Sequence, residues 1–218
     1  MIKKLMFALL PLMLIFNVSA KENVSAKEID RTKPYEMMKQ VSENTFARLK
    51  AEQSKIRKEP NHLKVVVEEE MMPYVNEKYA ALKLLGSNLK GAKREDVSEF
   101  IRAFHGYLVT SYAQALTQYR DQKVEFGPMP KVEDGKSITK IKVEIIDSPR
   151  PNIQLEFKLR RDKKTGEWKA FDLIAEGISL LDSKQSEWST KIRQDGILSV
   201  AKELEKLADT PIRFESND

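Results

Sequence analysis

The segment from Trp168 to Leu181, which reads WKAFDLIAEGISLL, constrains the fold more than any other stretch of this chain. It is an almost unbroken apolar run with Trp168 at its head and Gly177 near its end, which is typical of a buried strand. Because a strand without polar alternation is covered on both faces, apolar layers are expected on each side of it. We therefore predict a generous hydrophobic interior, suited to holding apolar cargo.

Two segments before this strand alternate apolar and polar residues with a period of two. They cover residues 141–145 and 153–159, and this pattern predicts half-buried antiparallel strands. The link Asp147–Pro151 carries turn residues, and Asp162–Gly166 predicts a hairpin loop that leads into Trp168.

Helical periodicity dominates the chain before these strands. Tyr35–Arg57 predicts an opening helix, and Leu63–Leu85 predicts a kinked helix or a helix pair, broken at Pro73 and stopped at Gly86. The clearest helix is Val97–Tyr119, where an apolar stripe rich in aromatic residues runs over more than five turns. A stripe of this width must pack on a large apolar surface.

Two further helices, Lys184–Arg193 and Ile197–Leu207, are predicted to close the fold around Gly196. Helices wrapped around one curved antiparallel sheet form an α+β fold with a hydrophobic interior. We assign residues 34–210 to this domain, which is large enough to be stable without disulfides. Residues 211–218 are predicted to form a polar tail.

The first 20 residues have the pattern of a cleaved secretory signal. Two lysines precede the apolar run Leu5–Phe16, and Val18-Ser19-Ala20 offers the small residues that signal peptidase accepts. The run is shorter than the about 20 apolar residues of a membrane-spanning helix. We therefore predict that residues 1–20 are a cleaved signal peptide that directs the chain across the inner membrane.

A six-residue repeat follows, because residues 17–22 and residues 23–28 both read NVSAKE. The second copy offers Ala26 as an alternative cleavage site, and residues 21–33 are predicted to be a flexible N-terminal segment. Since the chain contains no Cys, no lipid-modifiable Cys follows the signal. We expect a soluble mature protein rather than a lipoprotein.

The charge balance argues against nucleic-acid binding. The chain has 38 Lys and Arg against 33 Asp and Glu, a net charge of +5, and loss of the two signal-peptide lysines lowers it to +3. Lys and Glu are mixed along every predicted helix, whereas nucleic-acid binders concentrate basic residues in one patch. The mild basic bias suits an anionic membrane surface or an acidic partner, and ordinary solubility explains it equally well.

Several motifs, in fixed order and spacing, resemble those of one known family. They are Pro73-Tyr74-Val75 with Lys78-Tyr79 and Gly86; Phe100, Phe104, Leu108, Tyr112, Leu116 and Tyr119; and W-x-x-x-D-x-x-x-x-G-x-S at Trp168, Asp172, Gly177 and Ser179, followed by Trp188. They resemble the MlaC family of periplasmic phospholipid-binding proteins, which includes the toluene-tolerance auxiliary proteins. The resemblance covers essentially the whole mature chain, starting at Pro34-Tyr35.

The resemblance implies an NTF2-like α+β fold whose cavity buries phospholipid acyl chains. It implies a periplasmic carrier that shuttles phospholipid between an outer-membrane lipoprotein–porin complex and an inner-membrane ABC transporter with its periplasmic substrate-binding ring, and so maintains outer-membrane lipid asymmetry. We expect a monomer with phospholipid as cargo and no cofactor. Ala170 departs from the family, in which a larger aliphatic residue is common, and leaves the pocket width open.

Such a carrier needs a deep, dry cavity. Two acyl chains of about 16 carbons gain on the order of 25 kcal/mol on leaving water, at about 0.8 kcal/mol per methylene, and a bilayer already supplies nearly all of this. Each candidate wall residue taken alone also fits an ordinary core. The predicted lipid-binding residues are Val75, Tyr79, Leu82, Phe100, Phe104, Leu108, Tyr112, Ile141, Val143, Ile145, Leu155, Phe157, Trp168, Phe171, Ile174 and Ile178.

Catalysis finds little support in the sequence. The chain has two histidines, His62 and His105, and no Cys, which argues against a zinc site. An NTF2-like isomerase or dehydratase would need a histidine within hydrogen-bond reach of Asp172. We expect no enzyme, no catalytic residues and no metal site, and we keep an NTF2-like periplasmic enzyme and a cargo-free periplasmic adaptor as alternatives.

Overall fold

The computed structural model describes residues 28–133 and 135–214, so the predicted signal peptide lies outside the described residues. The helices are α1 (Pro34–Ala51), α2 (Gln53–Lys58), α3 (His62–Val66), α4 (Glu77–Leu85), α5 (Arg94–Leu116), α6 (Leu180–Asp195) and α7 (Ile197–Ala208). The strands are β1 (Lys123–Phe126), β2 (Ile138–Ile146), β3 (Ile153–Arg161), β4 (Trp168–Ala175) and β5 (Ile178–Ser179).

The five strands form one antiparallel sheet in chain order, β1-β2-β3-β4-β5. One face of this sheet is apolar, because Ile141 of β2, Leu159 of β3 and Trp168 of β4 pack against Met37 and Val41 of α1. Since side chains alternate along a strand, the charged residues that separate these positions lie on the other face. The α+β class and the antiparallel sheet that the sequence predicts are confirmed.

The helical layer lies along β4 and is built on α5. Phe100 and Phe104 of α5 share a buried cluster with Leu84 of α4, Trp188 of α6 and Leu204 of α7. The predicted long helix, the helix break near Pro73 and the two closing helices are therefore all present.

The predicted opening helix is not continuous. It divides at Glu52 into α1 and α2. The Glu52 carboxylate accepts a hydrogen bond from Arg48 and contacts the His62 ring at 2.5 Å, so this bend joins α1 to α3. Most of the His62 side chain is buried at this bend.

The prediction of one unbroken strand from Trp168 to Leu181 is wrong beyond Ala175. Glu176 and Gly177 have φ values of 49° and 81°, which make a tight turn into β5. The side chain of Ser179 then accepts a hydrogen bond from the amide of Asp182 at 3.0 Å and caps α6. The last two leucines of the apolar run therefore belong to a helix.

A bulge in β4 allows two neighbouring residues, Phe171 and Asp172, to be buried on the side of the helices. Ala170 pairs with Leu159 and Leu173 pairs with Phe157, so one extra residue lies in β4 between these pairs. Phe171 and Asp172 are consequently both buried, and Asp172, which pairs with Lys158, points away from the apolar face. The bulge thereby aims Phe171 and Asp172 at the helices.

Residues just outside the predicted domain boundaries, before residue 34 and after residue 210, also pack against the domain. Ile29 is buried, and the amide of Trp168 donates to the carbonyl of Arg31 at 2.8 Å, which fixes part of the segment predicted to be flexible. Ile212 is buried as well, and its amide donates to Asn61 Oδ1 at 2.8 Å, so the predicted polar tail begins with a docked residue. In residues 28–133 and 135–214, no helix has the length and apolar character that crossing a bilayer requires.

Candidate functional site

An apolar cavity of about 260 Å³ lies where α5, β4 and the first turn of α6 meet. Apolar and aromatic side chains form most of its wall, with four polar residues among them. The lining residues are Val75, Ala80, Phe104, Tyr107, Leu108, Ser111, Tyr112, Phe171, Asp172, Leu173, Leu180, Leu181, Ser183 and Lys184.

The α5 wall follows directly from helical periodicity. Phe104, Leu108 and Tyr112 are spaced four residues apart, and Tyr107 and Ser111 fill the intermediate positions on the same side. Burial, with a smaller contribution from the nearby Asp172 carboxylate, raises the pKa of Tyr112 to about 12. The phenol is therefore neutral throughout the physiological range and serves as part of an uncharged wall.

Asp172 is a fully paired carboxylate at the cavity wall. Its side chain has no exposed surface, and its oxygens accept from Lys158 Nζ at 3.0 Å, Ser179 Oγ at 2.8 Å and the Leu181 amide at 3.2 Å. These bonds join β3 and β4 to the N-terminus of α6. Asp172 therefore fixes the geometry of the wall, and its charge is compensated before any ligand enters.

The histidines lie elsewhere, which removes the basis for an acid–base pair at Asp172. His62 contacts Glu52, and His105 lies between Glu77 and Glu68. No group of His, Asp and Glu residues in the described part of the chain is arranged to hold a metal ion.

Of the predicted lipid-binding residues, the structure brings five together at this cavity: Val75, Phe104, Leu108, Tyr112 and Phe171. Four others are fully packed core residues, namely Phe100, Ile141, Val143 and Trp168. Six further predicted residues are half-buried beside the cavity or on the sheet, namely Tyr79, Leu82, Ile145, Leu155, Phe157 and Ile174. Ile178 is 62% exposed, because the turn at Glu176 and Gly177 carries it into solvent, and it is not a cavity residue.

Sequence reasoning misses nine lining residues. Ser111 belongs to the predicted stripe of α5 but is not among the predicted lipid-binding residues, and Tyr107 lies beside that stripe. Leu180, Leu181, Ser183 and Lys184 are missed for a different reason. Two of them fall within the predicted strand, so the first turn of α6 is not expected to face the same space. The other three are Ala80, Asp172 and Leu173.

A second, wider groove of about 740 Å³ lies between α1, α2 and the C-terminal end of α5. Its apolar floor includes Leu49 and Ile56, but its rim carries Lys50, Arg57 and Asp121 and no strand contributes to it. The smaller cavity is the better candidate for an apolar ligand, because apolar and aromatic side chains form most of its wall.

One side of the candidate cavity is formed by an irregular connection between α3 and α4. A π-helix at Val67–Met71 is followed by a 3₁₀ turn at Met72–Tyr74, and π-helical turns are rare and often found at functional sites. Val75 then forms a single β-bridge with Ala170, and the Asn76 amide donates to the Ala170 carbonyl at 2.6 Å. This segment touches the edge of β4 over a very short length.

His105 of α5 holds both ends of this irregular connection. Its Nδ1 is hydrogen-bonded to Glu77 at the start of α4, and its Nε2 lies 3.0 Å from Glu68 Oε2 in the π-helix. Partial burial lowers the pKa of His105, but the hydrogen bonds and charges of Glu77 and Glu68 outweigh it and raise the pKa above its ordinary value.

The raised pKa of His105 predicts a pH-dependent contribution to stability. The ion pairs contribute fully below the unfolded-state pKa of about 6.5 and are lost as pH rises through the higher folded-state pKa. We expect His105→Gln to lower the free energy of unfolding more at about pH 6 than at about pH 9. Urea denaturation of both proteins at the two pH values measures this, and an equal loss at both would show that the pair is not charged when folded.

The chain is similar to known proteins of one family. Residues 39–206 match the MlaC protein family. The intermembrane phospholipid transport system binding protein MlaC of Haemophilus influenzae is 35% identical over 192 residues, which cover 88% of this chain and 89% of that protein. A phospholipid-binding protein of Ralstonia solanacearum, solved in complex with a phospholipid, shares the fold with a TM-score of 0.68 and 16% identity, over 78% of this chain and 94% of the other. The match over most of its length and the shared fold make this chain a member of the MlaC family.

Proposed function

We propose that this protein is a periplasmic carrier that binds phospholipid acyl chains in the cavity between α5, β4 and α6 and moves phospholipid between the outer and inner membranes. The observation that carries the proposal is the mainly apolar wall of that cavity in a chain of the MlaC family. An apolar concave site with few, well-placed polar groups is what a lipid-sized apolar ligand requires.

The two relatives support the substrate class. The Haemophilus influenzae protein is named for intermembrane phospholipid transport, and the Ralstonia solanacearum protein was solved with a phospholipid bound. We extend both properties to this chain. A periplasmic location is supported by the predicted signal peptide, and the partners that follow are an outer-membrane lipoprotein–porin complex and an inner-membrane ABC transporter with its periplasmic ring. Maintenance of outer-membrane lipid asymmetry is the corresponding role.

The size of the cavity adds a requirement for movement. Pockets for drug-sized ligands span about 300–1,000 Å³, and the cavity of about 260 Å³ lies below that range although a diacyl phospholipid is a larger ligand. The cavity must therefore widen on loading. Half-buried apolar residues of the sheet, such as Leu155 and Phe157, are available to extend its wall when the helices part from β4.

Analysis of the purified protein's cargo tests the proposal. Protein secreted into the periplasm of a Gram-negative host and purified without detergent is extracted with organic solvent and quantified by mass spectrometry. A carrier should contain phospholipid at about one molecule per chain, because its loaded cavity must shield acyl chains from water as a bilayer does. Protein that arrives free of lipid and takes up none from vesicles would instead support the adaptor or enzyme alternative.

A further inference from the structure

Lys184 is the only basic residue among those that line the candidate cavity in the described part of the chain. It lies on the first turns of α6, and its ammonium group is 5.3 Å from the Trp188 ring centroid and 6.0 Å from that of Tyr107. About a third of its side chain is exposed, at 35%. Lys184 therefore stands where the apolar wall meets water.

The charge of Lys184 is retained and accessible. Partial burial lowers the pKa of Lys184, but its hydrogen bond to Glu187 and the nearby Tyr107 outweigh this and raise the pKa. The Glu187 carboxylate lies 2.7 Å from Lys184 Nζ and is 53% exposed. Exposed pairs of this kind contribute little to stability, so the ammonium group can exchange Glu187 for another anion at small cost.

Asp172, the other charged residue that lines the cavity, does not compete with Lys184 for a ligand. Asp172 is compensated by Lys158, Ser179 and a backbone amide, so it neither attracts a cation nor leaves a repulsive charge at the wall. An amphiphile whose tails enter the apolar space thus meets one available ionic group at the edge, and that group is a cation held over two aromatic rings.

We propose that Lys184 binds the phosphodiester of the lipid cargo at the mouth of the cavity. The inference rests on the proposed carrier function and adds a polar contact to it. A single ammonium group recognises the phosphate that all diacyl phospholipids share and makes no contact that separates one headgroup from another. Lys184 thereby favours phospholipids over uncharged lipids with the same acyl chains.

The test compares short-chain lipids that differ only at the phosphate. Delipidated protein is titrated with dioctanoyl phosphatidylglycerol, dioctanoyl phosphatidylcholine and dioctanoylglycerol, with calorimetry as the readout. Relative to the wild type, Lys184→Gln should lower the affinity for both phospholipids by about tenfold, the scale of a charge-assisted hydrogen bond. The affinity for dioctanoylglycerol should stay unchanged. Lys202→Gln, which removes an exposed charge from α7, is the matched control and should alter none of the three affinities.

Four outcomes separate this contact, and the carrier function on which it rests, from their alternatives. Glu187→Gln, which removes the ion-pair partner of Lys184, should raise the affinity for both phospholipids and leave the affinity for dioctanoylglycerol unchanged. If Lys184→Gln weakens all three lipids equally or none of them, the residue does not bind the phosphate and the proposal is overturned. If excess inorganic phosphate displaces the phospholipids completely, Lys184 belongs to a free-anion site instead. Failure of the wild type to bind any of the lipids would contradict the carrier function itself.

Discussion

Phe104→Glu should empty the protein of phospholipid while other parts of the molecule keep their structure. Phe104 is 3% exposed, lines the cavity and stacks on Phe100 and Tyr107 at centroid distances of 6.1 and 6.2 Å. A carboxylate at this position must be desolvated or protonated against acyl chains, at a cost of several kcal/mol. The amount of phospholipid that co-purifies with the variant should therefore fall by at least about tenfold, as measured by mass spectrometry.

A second variant keeps this prediction testable if Phe104→Glu fails to fold. Leu108 lines the same cavity one turn further along α5 but is only half-buried, so Leu108→Glu should be better tolerated and should also lose lipid. Ile178→Glu places the same charge at a residue that is 62% exposed, and it should co-purify with the normal amount of lipid. Folded Phe104→Glu or Leu108→Glu protein with a full complement of phospholipid would show that this cavity is not the lipid site.

Covalent attachment of the α3–α4 connection to β4 should stop lipid exchange. Val75 and Ala170 are partners in a β-bridge, so their Cα atoms lie about 4.8 Å apart, within the about 4.4–6.8 Å range of a disulfide. The protein has no native Cys, and the pair Val75→Cys and Ala170→Cys forms without competing thiols. Because the cavity must widen for a diacyl lipid, the oxidised protein should exchange lipid with vesicles at least about tenfold more slowly, and reduction should restore the rate.

The matched control is a disulfide that ties two strands without restraining a helix. Glu144 and Gln154 are register partners in β2 and β3 and lie at the surface of the sheet, so the corresponding Cys pair should leave exchange unchanged in both redox states. Equal exchange rates for oxidised and reduced Val75–Ala170 protein would mean that opening occurs at another part of the wall.

Regular periodicity makes much of the fold predictable. The alternation at Ile141 and Val143 defines β2, and the stripe that contains Phe104 and Leu108 defines α5 to within three residues at each end. These signals are reliable because each arises from one face of a long element that must be buried. The same stripe contains four of the cavity residues, Phe104, Leu108, Ser111 and Tyr112, so this part of the wall is predictable from the amino-acid sequence alone.

The rest of the cavity depends on features that periodicity does not encode. An apolar run such as residues 178–181 fits a strand or a helix equally well, and the Glu176–Gly177 turn and the Ser179 cap decide between them. The direction of Phe171 depends on the bulge in β4, which is visible only from the pairing with β3. The bulge also turns Ile174 away from the predicted inward direction, and the Glu176–Gly177 turn does the same for Ile178, so both lie outside the cavity.

The bulge in β4 also constrains how this protein can vary in evolution. Loss of one residue between Ala170 and Asp172 would restore regular alternation and leave Asp172 opposite Lys158, but it would remove the extra position from which Phe171 lines the cavity. The cavity would then lose an aromatic wall residue while the contacts of Asp172 to Lys158 and to the start of α6 stay in register. Natural relatives should therefore replace side chains in this stretch freely while keeping its length constant, and an alignment gap at this position would mark a protein whose cavity is assembled differently.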